Sequence, residues 1–244
     1  MKRVLITGVS GGLGAAMARE FRRRNWHVIG VCRTAPAADL CDEFVPCDLT
    51  DPAAVARLGA SIETLDVLVN NAGIGAYAAW EELDDASLRK LMEIDFFAPV
   101  ALTKSLLPAL ARTRGAVINI SSVAAEVPVA CMGAYNAAKA ALAMFSESLR
   151  PELHARGIRV LTVLPGRIDT GFSKRAVGGR QVPETPGRTA SSAEGLARRV
   201  YRAFVRRRRR LIYPAWYAPA IAFIRHFPAV NEYFNRKLWG LDRE

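Results

Sequence analysis

Cysteine is scarce in this chain, and no apolar run approaches the length of a membrane span. The four cysteines, Cys32, Cys41, Cys47 and Cys131, form no Cys-x-x-Cys pair. Their spacing fits neither a metal cage nor a disulfide framework, so small thiols in a reducing compartment are expected. A membrane-spanning helix needs ~20 consecutive apolar residues, and none is found. Behind Met-Lys-Arg, the apolar Val4-Leu5-Ile6 stops at Thr7-Gly8, too early for a signal-peptide core. The expectation is a cytoplasmic protein with no metal site. Acidic residues are the minority: 34 Lys and Arg stand against 23 Asp and Glu, a formal net charge of +11. Such an excess raises the question of an anionic partner, whether nucleic acid, lipid or small molecule.

What is present is an ordinary globular composition, with 51% hydrophobic and 23% charged residues in 244. That length fits one large α/β domain. Short apolar runs recur at Val4–Ile6, Val28–Cys32, Glu43–Pro46, Leu65–Val69, Gly115–Ile120, Ile158–Leu164 and Leu211–Tyr213. Helical patterns lie between them: an Ala-rich helix to about Arg24, one opened by Asp51 as N-cap with Pro52 at the first position, and others over Leu88–Phe97, Pro99–Arg112 and Tyr135–His154, the last closed by Gly157. Strands alternating with amphipathic helices predict a parallel sheet covered on both faces. Residues 173–190 are rich in Gly, Pro and Thr and read as a long loop.

The first strand runs into Thr7-Gly8-Val9-Ser10-Gly11-Gly12-Leu13-Gly14, and a helix follows. Glycines there permit a tight turn and close approach to a pyrophosphate, which the helix N-terminus favours electrostatically. At the end of the second strand, where an NAD-binding chain often carries an acid for the ribose hydroxyl, this chain has Cys32-Arg33-Thr34. An arginine pairs with a 2′-phosphate that an acid would repel, so NADP(H) is expected over NAD(H). Further on, Tyr135 and Lys139 stand one helical turn apart on one face. A free phenol titrates at about 10. A neighbouring ammonium and an oxidised nicotinamide both favour the phenolate, so a lowered Tyr135 pKa and a role as general acid/base are expected. Ser121 and Ser122 follow the fifth strand, where a hydroxyl donates to a substrate oxygen.

Taken together these residues resemble the short-chain dehydrogenases/reductases. Thr7-Gly8-x-x-x-Gly12-x-Gly14 resembles their cofactor motif, Asn70-Asn71-Ala72-Gly73 their segment that steadies the central sheet, Ser122 their catalytic serine, Tyr135-Asn136-Ala137-Ala138-Lys139 their Tyr-x-x-x-Lys, and Pro165-Gly166-Arg167-Ile168-Asp169-Thr170 their proline-glycine motif. The resemblance is strong over residues 1–172. It implies a Rossmann-type doubly wound parallel sheet of about seven strands with a C-terminal helical extension. The catalytic domain would run over 1–214 and the extension over 215–244. Catalysis would fall to Ser122, Tyr135 and Lys139, with Lys139 also on the nicotinamide ribose. Gly8, Ser10, Gly12, Leu13, Gly14 and Arg33 would hold the phosphates, Asp48 and Leu49 the adenine. Asn71 and Gly73 would line the adenosine ribose and the path to the nicotinamide, Ile168 and Thr170 would hold the carboxamide, and Ala72, Pro165 and Gly166 would also belong to the cofactor site. One position departs: where the family usually has an asparagine that positions a water, this chain has Asp95. An aspartate keeps the main-chain carbonyl; its carboxylate either strengthens the field near Lys139 or misplaces the water.

The residues expected to flank the substrate, Tyr77, Trp80, Ala124, Val127, Val129, Met132 and Phe172, are mostly apolar. They point to a hydrophobic ketone, aldehyde or alcohol. The arginine run Arg206–Arg210 reads as a solvated helix end, so no nucleic-acid partner is expected. The aromatics of 215–244, interleaved with Arg225, Arg236 and Lys237, suit packing on the same domain, an oligomer contact or lid, or a membrane surface. The resemblance implies a homodimer or homotetramer through the two long helices. The alternative reading is an NADP(H)-binding sensor or scaffold in which Asp95 has removed activity.

Overall fold

The computed structural model describes residues 1–181, 183 and 190–242. The chain order is β1 (Arg3–Thr7), α1 (Gly12–Arg22), β2 (His27–Cys32), β3 (Glu43–Pro46), α2 (Pro52–Ser61), β4 (Val67–Asn70), α3 (Asp85–Met92), α4 (Ala98–Ser105), α5 (Leu107–Thr113), β5 (Ala116–Ile120), α6 (Gly133–His154), β6 (Arg159–Pro165), β7 (Ile168–Asp169), β8 (Ser191–Ser192), α7 (Ala193–Val205), β9 (Arg210–Tyr213), α8 (Tyr217–His226) and α9 (Pro228–Trp239).

Seven strands form one sheet in the order β3-β2-β1-β4-β5-β6-β9, every pair parallel. The small strands β7 and β8 pair separately beyond the end of β6. The central strands are buried along their whole length because both faces are covered. Val4, Ile6, Val69, Ile118 and Val163 pack under α1 and α7, against Met17, Phe21, Leu196 and Val200. Leu5, Ile29, Leu68, Val117 and Val160 face the other way, onto Leu58, Leu102, Leu110, Leu149 and Leu153. The strand order reverses between β1 and β4, and an open sheet leaves a crevice at the carboxyl ends of its strands at such a point.

Buried polar side chains tie the sheet to its helices. Asn70 donates to the side-chain oxygens of Asn119 (2.8 Å) and Thr103 (3.1 Å), and Asn119 donates to the Ser146 hydroxyl (2.8 Å). The two asparagines lie side by side on β4 and β5, so the bonds link α4 to α6 along one face of the sheet.

The expected elements are present with shifted ends. Asp51 caps α2 by accepting from Ala53 N at 2.9 Å, with Pro52 at the first position. α6 starts at Gly133, earlier than expected. The helix expected over Leu88–Phe97 starts at Asp85 and widens into a π-turn over Glu93–Phe97, and the one expected over Pro99–Arg112 breaks at Leu106. Proline supplies no N–H, which accounts for a break just before Pro108. In the stretch expected as a long loop, Ser173–Arg175 forms a turn of 3-10 helix and Val177 bridges to Ala76; residues 182 and 184–189 lie outside the described residues. No single described helix is long and apolar enough to cross a membrane.

Ile118 is completely buried at the centre of β5. Ile118→Ala removes its methyl groups and leaves a cavity, with an expected loss of about 2–5 kcal/mol in urea unfolding.

Candidate active site

The turn after β1 owes its shape to close backbone packing. A Cβ on Gly14 would lie 2.1 Å from the Gly8 carbonyl oxygen, so no side chain fits where α1 rises past the strand end. Neither Gly14 nor Gly12 lines the cavity described below. They were expected to touch the cofactor; instead Gly14 packs on Gly8, and Gly12 faces Thr170. The Thr7 hydroxyl accepts from the backbone N–H of Asn71 and of Ala72, both at 2.9 Å, and Asn71 Nδ2 donates to the Thr7 carbonyl at 2.8 Å. The segment after β4 is thereby held against the glycine turn.

One cavity of about 1140 Å³ runs along the carboxyl ends of the strands. Gly8, Ser10, Leu13, Arg33, Asp48, Leu49, Asn71, Ala72, Gly73, Ser122, Tyr135, Lys139, Pro165, Gly166, Ile168 and Thr170 all line it, which brings together nearly every residue singled out from the sequence. Arg33 is exposed there, and its side chain makes no hydrogen bond or ion pair among the described residues. Asp48 accepts from the backbone and hydroxyl of Thr50, which hold its carboxyl below the usual range. The sequence reading missed Arg175: its guanidinium overhangs the glycine turn, 3.8 Å from where a Cβ on Gly11 would stand. Nothing in its local pattern sets it apart from the other arginines. A narrow trough with main-chain amides and a helix N-terminus at one end, and unpaired cations beside them, fits an extended dinucleotide with several phosphates.

At the other end, Tyr135 and Lys139 project from one face of α6, both almost fully buried. The Lys139 ammonium donates to the Ile120 carbonyl at 3.2 Å and lies 3.6 Å from Asp95 Oδ2. Asp95 has no exposed surface; its Oδ1 accepts from Ile74 N at 2.8 Å. It sits behind Lys139 and does not reach the cavity wall. The two serines after β5 divide their work. Ser121 donates to the Lys139 carbonyl at 2.7 Å and so braces α6, whereas the Ser122 hydroxyl is at the cavity wall with Tyr135. Within the protein alone, burial, and then the charge of Asp95, push the Tyr135 phenol above its ordinary range, against a hydrogen bond from Ser122; the expected depression is for the phenol facing an oxidised nicotinamide as well as Lys139. Burial is the larger cause, because a phenolate so enclosed has no water to solvate it.

The substrate end is apolar. Tyr77, Ala124, Val127, Val129, Met132 and Phe172 line it as expected. Trp80 does not: it is 75% exposed, on the short turn Trp80–Glu82. Arg180 grips Glu82 of that turn through two bonds of 2.8 and 2.7 Å, which hold the Glu82 carboxyl down to about 2.

The extension roofs this end. Ile221, Ile224, Phe234, Leu238 and Trp239 of α8 and α9 line the cavity. The Tyr217 ring lies so close to Gly166 that a Cβ there would meet it at 2.1 Å, so the glycine after Pro165 makes room for α8. α9 is fastened by polar bonds: Asn235 Oδ1 accepts from Ala130 N (2.8 Å), and Asn231 Nδ2 donates to the Pro128 carbonyl (2.9 Å). Arg225 pairs with Glu126, and Arg236 and Lys237 pair with Asp242. The cations that suggested a membrane surface are therefore engaged within the chain. Arg206–Arg209 form the exposed turn between α7 and β9, at the far edge of the sheet from the cavity.

The family model described as short chain dehydrogenase matches residues 2–180. Serine 3-dehydrogenase of Agrobacterium fabrum (strain C58 / ATCC 33970) is 36% identical over 198 residues, 73% of this chain and 76% of that protein. The NADPH-dependent 1-acyldihydroxyacetone phosphate reductase of Schizosaccharomyces pombe is 32% identical over 187 residues, 72% of this chain and 63% of that protein. A short-chain dehydrogenase from Sphingobium yanoikuyae, solved in complex with NADPH, superposes with a TM-score of 0.80 at 29% identity, covering 91% of this chain and 93% of that one. The chain belongs to the short-chain dehydrogenase/reductase family and is an oxidoreductase of that family.

Because Asn235 supplies both an acceptor and a donor to the 128–130 segment, Asn235→Ala should speed hydrogen exchange at the Ala130 amide. The expected cost is about 1 kcal/mol, the net worth of such bonds, read by exchange mass spectrometry.

Proposed function

We propose that the chain is an NADP(H)-dependent oxidoreductase that reduces a largely apolar ketone or aldehyde to the alcohol. The observation that carries this reading is that Tyr135, Lys139 and Ser122 share one cavity with the glycine turn and Arg33, and that the cavity is apolar beyond them. The NADPH-bound neighbour and the NADPH-dependent relative support the cofactor assignment.

In this reading the main-chain amides at the glycine turn and the α1 N-terminus receive the pyrophosphate, and Arg175 covers it. Arg33 meets the 2′-phosphate; Asp48 and Leu49 border the adenine; Asn71, Ala72 and Gly73 line the way to the reacting end. Lys139 holds the ribose hydroxyls, and Ile168 and Thr170 the carboxamide. NADPH supplies the hydride. The Ser122 hydroxyl donates to the carbonyl oxygen and orients it toward Tyr135. As a C–H bond forms at the carbonyl carbon, the π electrons pass to oxygen and the Tyr135 O–H gives up its proton there. Tyr135 then regains a proton before the next turnover. The extension excludes water from this end of the cavity, which strengthens each polar contact inside it.

A homodimer or homotetramer is part of the proposal. The exposed Phe97 and Met144, on the outer faces of the α4 and α6 region, support it. A cytoplasmic setting is consistent with four free cysteines.

An absorbance screen for NADPH loss across apolar ketones and aldehydes, with L-serine beside them, tests the reading. Preference for serine over every apolar carbonyl would overturn the substrate class. Tyr135→Phe should lower kcat by about 10²–10⁴-fold, the usual worth of a positioned acid, with NADPH binding retained. Retained binding with no wild-type turnover would instead favour a sensor or scaffold. Arg33→Ala should weaken NADPH about 10–100-fold, the loss of one charge-assisted contact, and leave NADH nearly unchanged; fluorescence titration reads both.

A further inference from the structure

Two hydroxyls interrupt the apolar lining of the substrate end. Tyr77 Oη and Ser173 Oγ stand 3.2 Å apart, and both residues line the cavity. Around them Ala124, Val127, Val129, Met132 and Phe172 offer only apolar side chains. Tyr77 comes from the loop after β4 and is buried; Ser173 opens the short turn after β7 and is exposed. Neither hydroxyl makes another hydrogen bond among the described residues.

The backbone around Tyr77 fixes where its ring points. Tyr77 N donates to the Val177 carbonyl at 2.8 Å, its carbonyl accepts from Arg180 N at 3.0 Å, and Ala78 N donates to the Cys131 carbonyl at 2.9 Å. Gly178 has a φ of +93°, and a Cβ there would lie 2.3 Å from the Tyr77 carbonyl oxygen, so the chain wraps this residue as closely as a glycine permits. The Tyr77 phenol is near enough to the Tyr135 hydroxyl to act on its ionisation. It therefore borders the place where a reacting carbonyl would sit.

Two hydroxyls carry two O–H donors, and the bond between them uses one. Ser173 is exposed, so water serves its spare lone pairs; with Ser173 donating to Tyr77 Oη, the donor left over is the phenol O–H inside the cavity. A buried donor without an acceptor is costly, and a substrate oxygen relieves it. We infer that the Tyr77–Ser173 pair is a second polar subsite, in which Tyr77 determines specificity by donating to an acceptor oxygen close to the reacting carbonyl, and Ser173 orients Tyr77. This rests on the reading of the cavity as a carbonyl-reducing site. It narrows the substrate class to an apolar chain that carries two oxygens close together, such as a diketone. The carbonyl oxygen meets Ser122 and Tyr135, the second oxygen meets Tyr77, and the apolar walls take the chain. Two points of attachment limit the rotation of the carbonyl, the orientation that hydride transfer needs.

Calorimetry on the protein with NADP+, where a ketone binds without accepting hydride, tests this. The ligands are alkyl diketones with their carbonyls adjacent or one carbon apart, each beside the mono-ketone in which a methylene replaces the second carbonyl. In the wild type the better diketone should bind about tenfold more tightly than its mono-ketone, the contribution of one neutral hydrogen bond. In Tyr77→Phe that preference should vanish, and in Ser173→Ala it should fall part of the way. A change in packing acts on both ligands and cancels in their ratio. A Tyr77 that is merely structural would weaken both alike and leave the preference intact, which would overturn the inference; so would a wild type that binds the members of each pair equally. Should Tyr77→Phe fail to fold, an undiminished preference in Ser173→Ala would overturn it. The ratio of kcat/KM values in NADPH-driven reduction should follow the same course, because the unequal reactivity of the two ketones cancels between proteins. A Tyr77-dependent preference in binding, with no turnover of any carbonyl, would count against the proposed activity and leave the subsite standing. Turnover without such a preference would sink the subsite alone.

Discussion

A buried ammonium has to be met by oxygen, and much of this site follows from how Lys139 is met. Taking a charge out of water costs several kcal/mol unless partners replace the solvent. Here the replacements come from two directions, the Ile120 carbonyl at the end of β5 and the Asp95 carboxylate from the π-turn. Ser121 holds the Lys139 backbone from below. The lysine is therefore pinned by the sheet edge, by its own helix and by the α3–α4 region together. Tyr135, one turn earlier on the same helix, inherits that placement. The π-turn has a structural consequence in the same terms: it brings Asp95 inward within a helical stretch whose neighbours Ile94 and Phe96 are only partly buried.

The second constraint is the parallel sheet. All seven strands end at one edge, so the glycine turn, the 70–73 segment, the serines after β5 and the proline-glycine turn after β6 converge although they are far apart in the chain. The Asn70–Asn119–Ser146 bonds keep β4, β5 and α6 in register at the point where cofactor end and chemical end meet. An asparagine on an apolar strand is an unwelcome residue unless its amide finds partners, and here the neighbouring strand carries a second asparagine that accepts from the Asn70 amide nitrogen.

The extension adds what the sheet edge cannot: an apolar roof. α8 is seated by the Tyr217 ring on Gly166, and α9 by asparagine side chains on the 128–130 segment. Much of α9 remains uncovered, with Phe234 62% exposed while it also borders the cavity. The roof thus forms a mouth with an apolar rim, consistent with a substrate that carries little polarity away from its carbonyl.

Local chemistry was enough to read the strands, the capped helix at Asp51, the glycine turn, the Tyr135–Lys139 pair and the arginine in place of an acid at the second strand. Each of these depends on neighbours a few residues apart, where periodicity, capping and turn preferences act. The division of labour between Ser121 and Ser122, the exclusion of Trp80, the overhang of Arg175 and the roof built from 215–244 were decided only by tertiary packing, because each is a contact between segments distant in sequence. The sign of the Tyr135 shift belongs to the same group. It comes first from burial, which only the packed fold supplies, and then from the Asp95 carboxylate, forty residues from Tyr135 in the chain.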